Sequence, residues 1–121
     1  MNKKAKRKTK LKERGFDTNA DLRYMYLKIN KSFFGNRLPK DMSVSFEKIK
    51  GDLGRTRIDG RTFRPLYIEI TDRIRFSAAL CYQTLLHEMV HVSVPEHRGH
   101  RGWFDKEMLK LVNKGVMNGM W

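Results

Sequence analysis

Hydrophobic residues first recur at helical spacing in the stretch between Thr18 and Gly35. Thr18 and Asp21 stand three positions apart, which is the spacing of a capping box at the start of a helix. Gly35 and Asn36 both tolerate the left-handed backbone that closes a helix. The pattern therefore predicts a helix whose apolar side consists of Leu22, Met25, Tyr26, Ile29 and Phe33.

Alternation of apolar and polar residues then predicts strands. Two strands follow directly from that alternation, one at 43–46 and one at 66–70. A third stretch at 53–58 also reads as a strand, and it turns at the Asp59 and Gly60 pair. We therefore expect a sheet of three short strands.

Two further helices follow the strands. Ser77 can cap the first, whose apolar residues spread around much of its circumference, and a helix of this kind is buried. It should end around Val94, because Pro95 disfavours helical backbone at the residue before it. The last helix begins at Gly102 and keeps its apolar spacing until Gly115. This order of elements predicts an α+β domain in which a small, mostly antiparallel sheet packs on the buried helix.

The composition limits the chain to one domain. Its 121 residues are 40% hydrophobic and 32% charged, which excludes a multidomain machine and suits a soluble globular protein. No apolar run is long enough to cross a bilayer, and the lysine-rich start lacks the apolar centre of a secretory signal. We expect a monomeric cytoplasmic protein without membrane partners, in the host cytoplasm if it is viral. The single cysteine, Cys81, excludes a cysteine-built zinc ribbon.

Basic residues are concentrated at the start of the chain. The whole chain carries 26 Lys and Arg against 13 Asp and Glu, a net charge of +13. Residues 1–14 hold eight basic residues and one acidic residue, and therefore +7 of that charge. We predict that residues 1–16 form a flexible basic tail that contacts nucleic acid, and that residues 17–121 form the folded domain. A tail that only solubilises the protein is the alternative.

The motif that carries chemistry is the His-Glu-Met-Val-His run from His87 to His91, inside the buried helix. Residues four apart share one helical face, so the two imidazoles can bind one Zn²⁺. Glu88 lies about 100° further round the helix than His87, where its carboxylate can act as a general base on water. Two purely structural histidines are the alternative, disfavoured because burying adjacent imidazoles without partners is costly.

A third zinc ligand is expected downstream, because catalytic zinc usually takes three protein ligands. His97 has a suitable spacing but needs a sharp turn near Val94, which a β-branched residue before a proline resists. His100 follows a glycine and opens the last helix, so we predict His100 as the ligand and keep His97 as the main alternative. The remaining alternatives are Glu96, Asp105 and Glu107.

Four segments between Leu22 and Leu111 together resemble a known family. They are the runs Ser-Phe-Phe-Gly-Asn-Arg-Leu-Pro at 32–39, Leu-Gly-Arg-Thr-Arg at 53–57, Thr-Leu-Leu-His-Glu-Met-Val-His at 84–91, and the Gly-His pair at 99–100 with Phe104 a turn later. Jointly they resemble the SprT-like zinc metalloproteases, which include the Spartan DNA-protein crosslink proteases, and in particular compact bacteriophage-type members. The resemblance implies a zincin-like fold with a mixed sheet over the active-site helix, and it maps the third zinc ligand onto His100.

These observations predict a zinc-dependent endopeptidase that acts on DNA-associated or DNA-crosslinked proteins, with Glu88 as the general base. An extended substrate is expected to pair with a strand at the rim of the cleft, such as 66–70. The alternatives are a metal-dependent nuclease, against which Glu88 counts, and a non-catalytic, zinc-stapled DNA-binding module. Candidates for stabilising the oxyanion are Tyr67, Arg98 and Arg101.

Two weaker signals point to the core. Cys81 is displaced by about 240° from His87 around the helix, so we predict a buried thiol and not a ligand. The aromatic residues could stack on bases, but at helical spacing they are expected to be core residues. They are Tyr24, Tyr26, Phe33, Phe34 and Trp103.

Overall fold

The structure is a computed structural model that describes residues 18–94 and 102–116. Within these ranges the chain forms three α-helices and three strands, with a short 3₁₀ helix before the second α-helix. The elements are α1 (Asn19–Phe33), β1 (Ser43–Glu47), β2 (Gly54–Ile58), β3 (Pro65–Thr71), the 3₁₀ helix Asp72–Ile74, α2 (Ala78–Ser93) and α3 (Gly102–Asn113). The described residues therefore form an α+β fold, as predicted. The predicted basic tail, residues 1–16, lies outside them.

The three strands form a mixed sheet in the order β1-β3-β2. β2 and β3 are antiparallel and joined by a hairpin, whereas β1 and β3 are parallel, with Val44 opposite Ile68. The expectation of a mostly antiparallel sheet is therefore wrong for one of the two pairings. The alternation of apolar residues in β1 and β3 is the same for either direction, because it reports which face is buried and not which way the neighbouring strand runs.

The start of α1 confirms the predicted capping box. The Thr18 hydroxyl accepts a hydrogen bond from the Asp21 N–H at 3.3 Å, and the Asp21 carboxylate accepts one from the Thr18 N–H at 3.2 Å. The helix ends before Gly35 and Asn36, whose φ angles of 58° and 61° lie in the left-handed region. Both ends of α1 are thus fixed by the residues that the sequence indicated.

Helix α2 is the buried helix of the domain. The Ser77 side chain accepts a hydrogen bond from the Leu80 N–H, and Val94 follows the last helical residue, so both predicted ends are confirmed. The Cys81 thiol is fully buried and donates to the Ile74 carbonyl oxygen at 3.3 Å, which confirms Cys81 as a core thiol. Helix α2 packs against both β2 and β3, and also contacts α1 and α3.

The core lies between the helices and one face of the sheet. Tyr26 and Phe34 are almost completely buried, and the other three predicted core aromatics are partly buried against the same cluster. Three apolar residues of α2 and α3 are exposed instead: Leu80 by 37%, Leu109 by 59% and Val112 by 42%. Leu80 borders the cleft described below. Among the described helices, none is both long enough and apolar enough to span a membrane.

Candidate metal centre

His87 and His91 lie one turn apart on α2, and both rings are partly exposed. Their ring centroids are 5.2 Å apart, with 64° between the ring planes. Two imidazoles that bind one tetrahedral zinc through ring nitrogens at about 2.0–2.1 Å would have centroids about 5 Å apart. The observed separation therefore fits two ligands of a single zinc ion.

The first turn of α3 packs against this pair of rings. The Phe104 ring lies 4.8 Å from the His87 ring and 5.2 Å from the His91 ring, measured between centroids. Trp103 adds an edge contact to His91 at 5.9 Å. Aromatic contacts of this kind restrict the rotation of an imidazole about its side-chain bonds. The two rings are thus held from the side of α3.

Glu88 lies next to this pair and is only 6% exposed. Its Oε1 atom accepts a hydrogen bond from the Thr56 hydroxyl, with 2.8 Å between the oxygen atoms. The same hydroxyl lies 3.3 Å from the Glu88 carbonyl oxygen. Thr56 belongs to β2, so a strand and a helix that are distant in the sequence meet at this carboxylate.

Burial raises the pKa of Glu88 from its ordinary 4.5 to about 7. The hydrogen bond from Thr56 favours the ionised form and lowers the pKa, and the negative charge of Asp52 raises it. Burial outweighs the hydrogen bond, because the carboxylate has lost most of its contact with water. A carboxyl group whose pKa is near 7 can both take up and release a proton at neutral pH, which is what a general base and acid requires.

Gly54 allows β2 to approach α2 closely at this point. A Cβ atom built on Gly54 would lie 2.9 Å from the Thr84 Cγ2 atom and 3.3 Å from the Glu88 Cγ atom. It would also lie 3.2 Å from the Glu69 carbonyl oxygen. Because any side chain would push the strand away from the helix, glycine is what lets the Thr56 hydroxyl reach Glu88.

An open cleft of about 480 Å³ lies in front of the three motif residues. One wall is the segment that enters β2, with Asp52 and Leu53, and the opposite wall is the first half of α2, with Leu80 and Gln83. Arg73 holds the first wall, because its guanidinium donates to the carbonyl oxygens of residues 49 and 52. The cleft therefore combines apolar side chains with a buried carboxyl and two imidazoles.

The third ligand of the predicted zinc site is not among the described residues. Within 18–94 and 102–116, no three His, Cys, Asp or Glu side chains lie close enough to hold a metal ion together. Asp105 and Glu107 are described and do not form such a group with His87 and His91. His100, the predicted ligand, and its alternatives His97 and Glu96 lie outside the described residues.

Two expectations about the cleft are wrong. The strand at 66–70 is the centre of the sheet, with partners on both sides, so its backbone cannot pair with a substrate. Tyr67 alternates with the buried Ile68 and lies on the opposite face of β3, so it does not line the cleft. The two arginines named with it, at 98 and 101, lie outside the described residues.

Sequence reasoning missed the contribution of β2. Gly54 and Thr56 share the face of β2 that meets α2, whereas Arg55 and Arg57 point the other way, and Arg55 pairs with Glu69. A strand whose inner face carries glycine and threonine is typical of a close approach to a neighbouring element. That signal was present in the sequence, but it does not indicate which element approaches.

Comparisons of the chain with protein-family models, curated proteins and solved structures found no match. The class of site is therefore defined by geometry alone. It is a helix with two imidazoles and a buried carboxyl, next to the edge strand of a small mixed sheet.

Proposed function

We propose that the chain is a zinc-dependent endopeptidase with a zincin-like fold, of the SprT-like type that its sequence motifs resemble. One observation carries the proposal: Glu88 is buried between a helix with two suitably spaced imidazoles and an edge strand, and it borders an open cleft. A carboxyl next to two histidines spaced to bind one zinc ion is the arrangement in which the carboxyl can act as the general base of a metalloprotease.

His87 and His91 would hold the zinc ion, and His100 would be the third ligand. In support of His100, Phe104, four residues further along the chain, contacts both imidazoles, and Trp103 contacts His91. When bound, the ion would polarise the scissile carbonyl and make water a stronger nucleophile at neutral pH. The separation of the two imidazoles supports a single shared ion.

Glu88 would move the proton. The hydrogen bond from Thr56 engages Oε1, so Oε2 is the oxygen that would take the proton from the attacking water. Glu88 would then give that proton to the amine that leaves when the peptide bond breaks.

The backbone of β2 would bind the substrate, in place of the strand at 66–70. β2 pairs with β3 on one side only, so among the described residues its other edge has no partner strand. An extended peptide that pairs with this edge would lie beside the cleft that contains Glu88. Recognition through main-chain hydrogen bonds predicts weak dependence on the substrate sequence.

Nucleic acid would bring the substrate to the enzyme. The net charge of +13 favours polyanionic partners, and the predicted tail holds more than half of it. Within the described part, Arg57, Arg61 and Arg64 add exposed basic side chains on and after β2. The proposed substrates are therefore proteins that are bound or crosslinked to DNA.

The test compares the full chain with Glu88→Gln. Both proteins are loaded with zinc, analysed for metal content and incubated with DNA and a DNA-binding protein. We expect about one zinc per chain in both proteins, and protein cleavage by the wild type that is abolished by a chelator and by Glu88→Gln. Equal cleavage by both proteins would refute the role of Glu88. Cleaved nucleic acid would indicate the nuclease, and zinc binding with no cleavage would indicate a DNA-binding module.

A further inference from the structure

Among the described residues, the Thr56 hydroxyl of β2 donates a hydrogen bond to the Glu88 carboxylate. Its oxygen is 2.8 Å from Glu88 Oε1 and 3.3 Å from the Glu88 carbonyl oxygen, so its single hydrogen has two acceptors on one residue. Because the distance to Oε1 is shorter, the hydroxyl donates its hydrogen bond to the carboxylate. The bond joins positions 32 residues apart in the sequence.

The sheet fixes the position of this hydroxyl independently of α2. Thr56 is paired with Ile68, a fully buried residue of the central strand, and Gly54 is paired with Ile70 in the same register. The close approach at Gly54 leaves little room for β2 to move toward α2. The hydroxyl is therefore a fixed reference point against which a carboxylate on the helix can be oriented.

We propose that Thr56 is a positioning residue, which holds the Glu88 carboxyl in the orientation needed for proton transfer. This inference rests on the proposed peptidase function. The Glu88 side chain has three rotatable bonds between its backbone and its carboxylate, so without a fixed partner its oxygens would occupy several positions. A donor from a rigid strand selects one of them.

The same hydroxyl can serve both forms of the carboxyl. While Glu88 is ionised, Thr56 donates to Oε1. When Glu88 holds on Oε2 the proton taken from water, Oε1 is still an acceptor and Thr56 can still donate to it. The carboxyl therefore keeps a partner before and after it accepts a proton.

Two substitutions separate the hydroxyl from the shape of the side chain. Thr56→Val keeps the branched shape and removes the hydrogen bond, whereas Thr56→Ser keeps the hydroxyl and removes a methyl group. A hydrogen bond to a charged group corresponds to about 10- to 100-fold in rate if it acts in the transition state. We expect Thr56→Val to lower kcat by about that factor, with KM within about threefold of wild type. Thr56→Ser should recover most of kcat, and zinc content should be unchanged in both.

A second readout does not depend on activity. Urea unfolding of the metal-free proteins provides two comparisons. The first compares Thr56→Val with the wild type, and the second compares the double variant Thr56→Val, Glu88→Ala with Glu88→Ala alone. We expect Thr56→Val to lower the urea midpoint when Glu88 is present and to change it much less when Glu88 is absent, because the two side chains interact. Equal shifts in both backgrounds would show that the two side chains are not coupled.

The outcomes separate this inference from the proposed function. If the wild type cleaves no protein, the proposed function is wrong whatever Thr56 does. If the wild type is active and Thr56→Val keeps the wild-type kcat, only the role of Thr56 is wrong. A purely structural role would lower kcat equally in the Val and Ser variants and in proportion to lost stability. If Thr56→Val does not fold, Thr56→Ala takes its place in the comparison with Ser.

Discussion

Replacing Glu88 by glutamine should stabilise the metal-free protein, and the gain should depend on pH. Glutamine has the shape of glutamate, and its amide oxygen can still accept the hydrogen bond from Thr56. The substitution removes the negative charge of Glu88, a residue that is only 6% exposed, so its ionised form loses most of its hydration when the protein folds. The substitution therefore isolates the free-energy cost of ionising a buried carboxyl.

The sign and size follow from the pKa of Glu88. Folding raises this pKa from 4.5 to about 7, so between these pH values the folded state binds the proton more tightly than the unfolded chain. Stability of the wild type therefore falls as pH rises through this window, and the loss is complete above about pH 7. At about 1.4 kcal/mol for each tenfold change in proton affinity, the loss amounts to about 3 kcal/mol.

The assay is urea unfolding of both metal-free proteins in a chelator, at pH values from 4 to 8. Groups other than Glu88, including the two imidazoles, are present in both proteins, so the difference in unfolding free energy reports Glu88. We expect Glu88→Gln to become more stable relative to the wild type by about 3 kcal/mol between pH 4 and pH 8. A difference that stays constant across this range would mean that Glu88 is not desolvated and would remove the physical basis of its role as a base.

Three further predictions test other parts of the structure. Gly54→Ala should lower kcat and destabilise the fold by about 1–3 kcal/mol, because the added Cβ would lie 2.9 Å from the Thr84 side chain. Urea unfolding and peptidase assays would measure both effects. A variant with wild-type stability and kcat would disprove the close approach. His100→Ala should lose zinc whereas His97→Ala should keep it, as measured by metal analysis; the reverse result would exchange the two ligands. Thr18→Ala should lower the unfolding free energy by about 1 kcal/mol in thermal or urea unfolding, and an unchanged value would contradict the observed cap.

Much of the fold could be predicted because it is encoded locally. The capping box at Thr18, the left-handed pair at Gly35 and Asn36, and the Ser77 cap each act on residues within one turn of themselves. Local sequence is sufficient for such features, because the interacting groups are neighbours along the chain. The His87 and His91 pair belongs to the same class, since helical geometry alone brings the two rings together.

The features that could not be predicted depend on contacts between segments that are distant in the sequence. Whether β1 runs parallel or antiparallel to β3 depends on the path of the chain between the two strands, and alternation does not encode this. The bond between Thr56 and Glu88 and the exposure of Leu80 likewise depend on how β2 and α2 pack together. Glu88 could be proposed as a base from its motif, but its hydrogen bond with Thr56 could not be predicted.

The packing of α3 on the two imidazoles links the end of the chain to the proposed metal affinity. Phe104 contacts both rings, so the energy that docks α3 also limits the positions that the rings can occupy. A change that loosens α3 should therefore make the proposed site bind zinc less tightly. The same holds for the residues that follow the helix, where the Val116 carbonyl oxygen accepts a hydrogen bond from the Tyr82 hydroxyl. By the same thermodynamic linkage, an occupied site should protect this helix from hydrogen exchange and proteolysis.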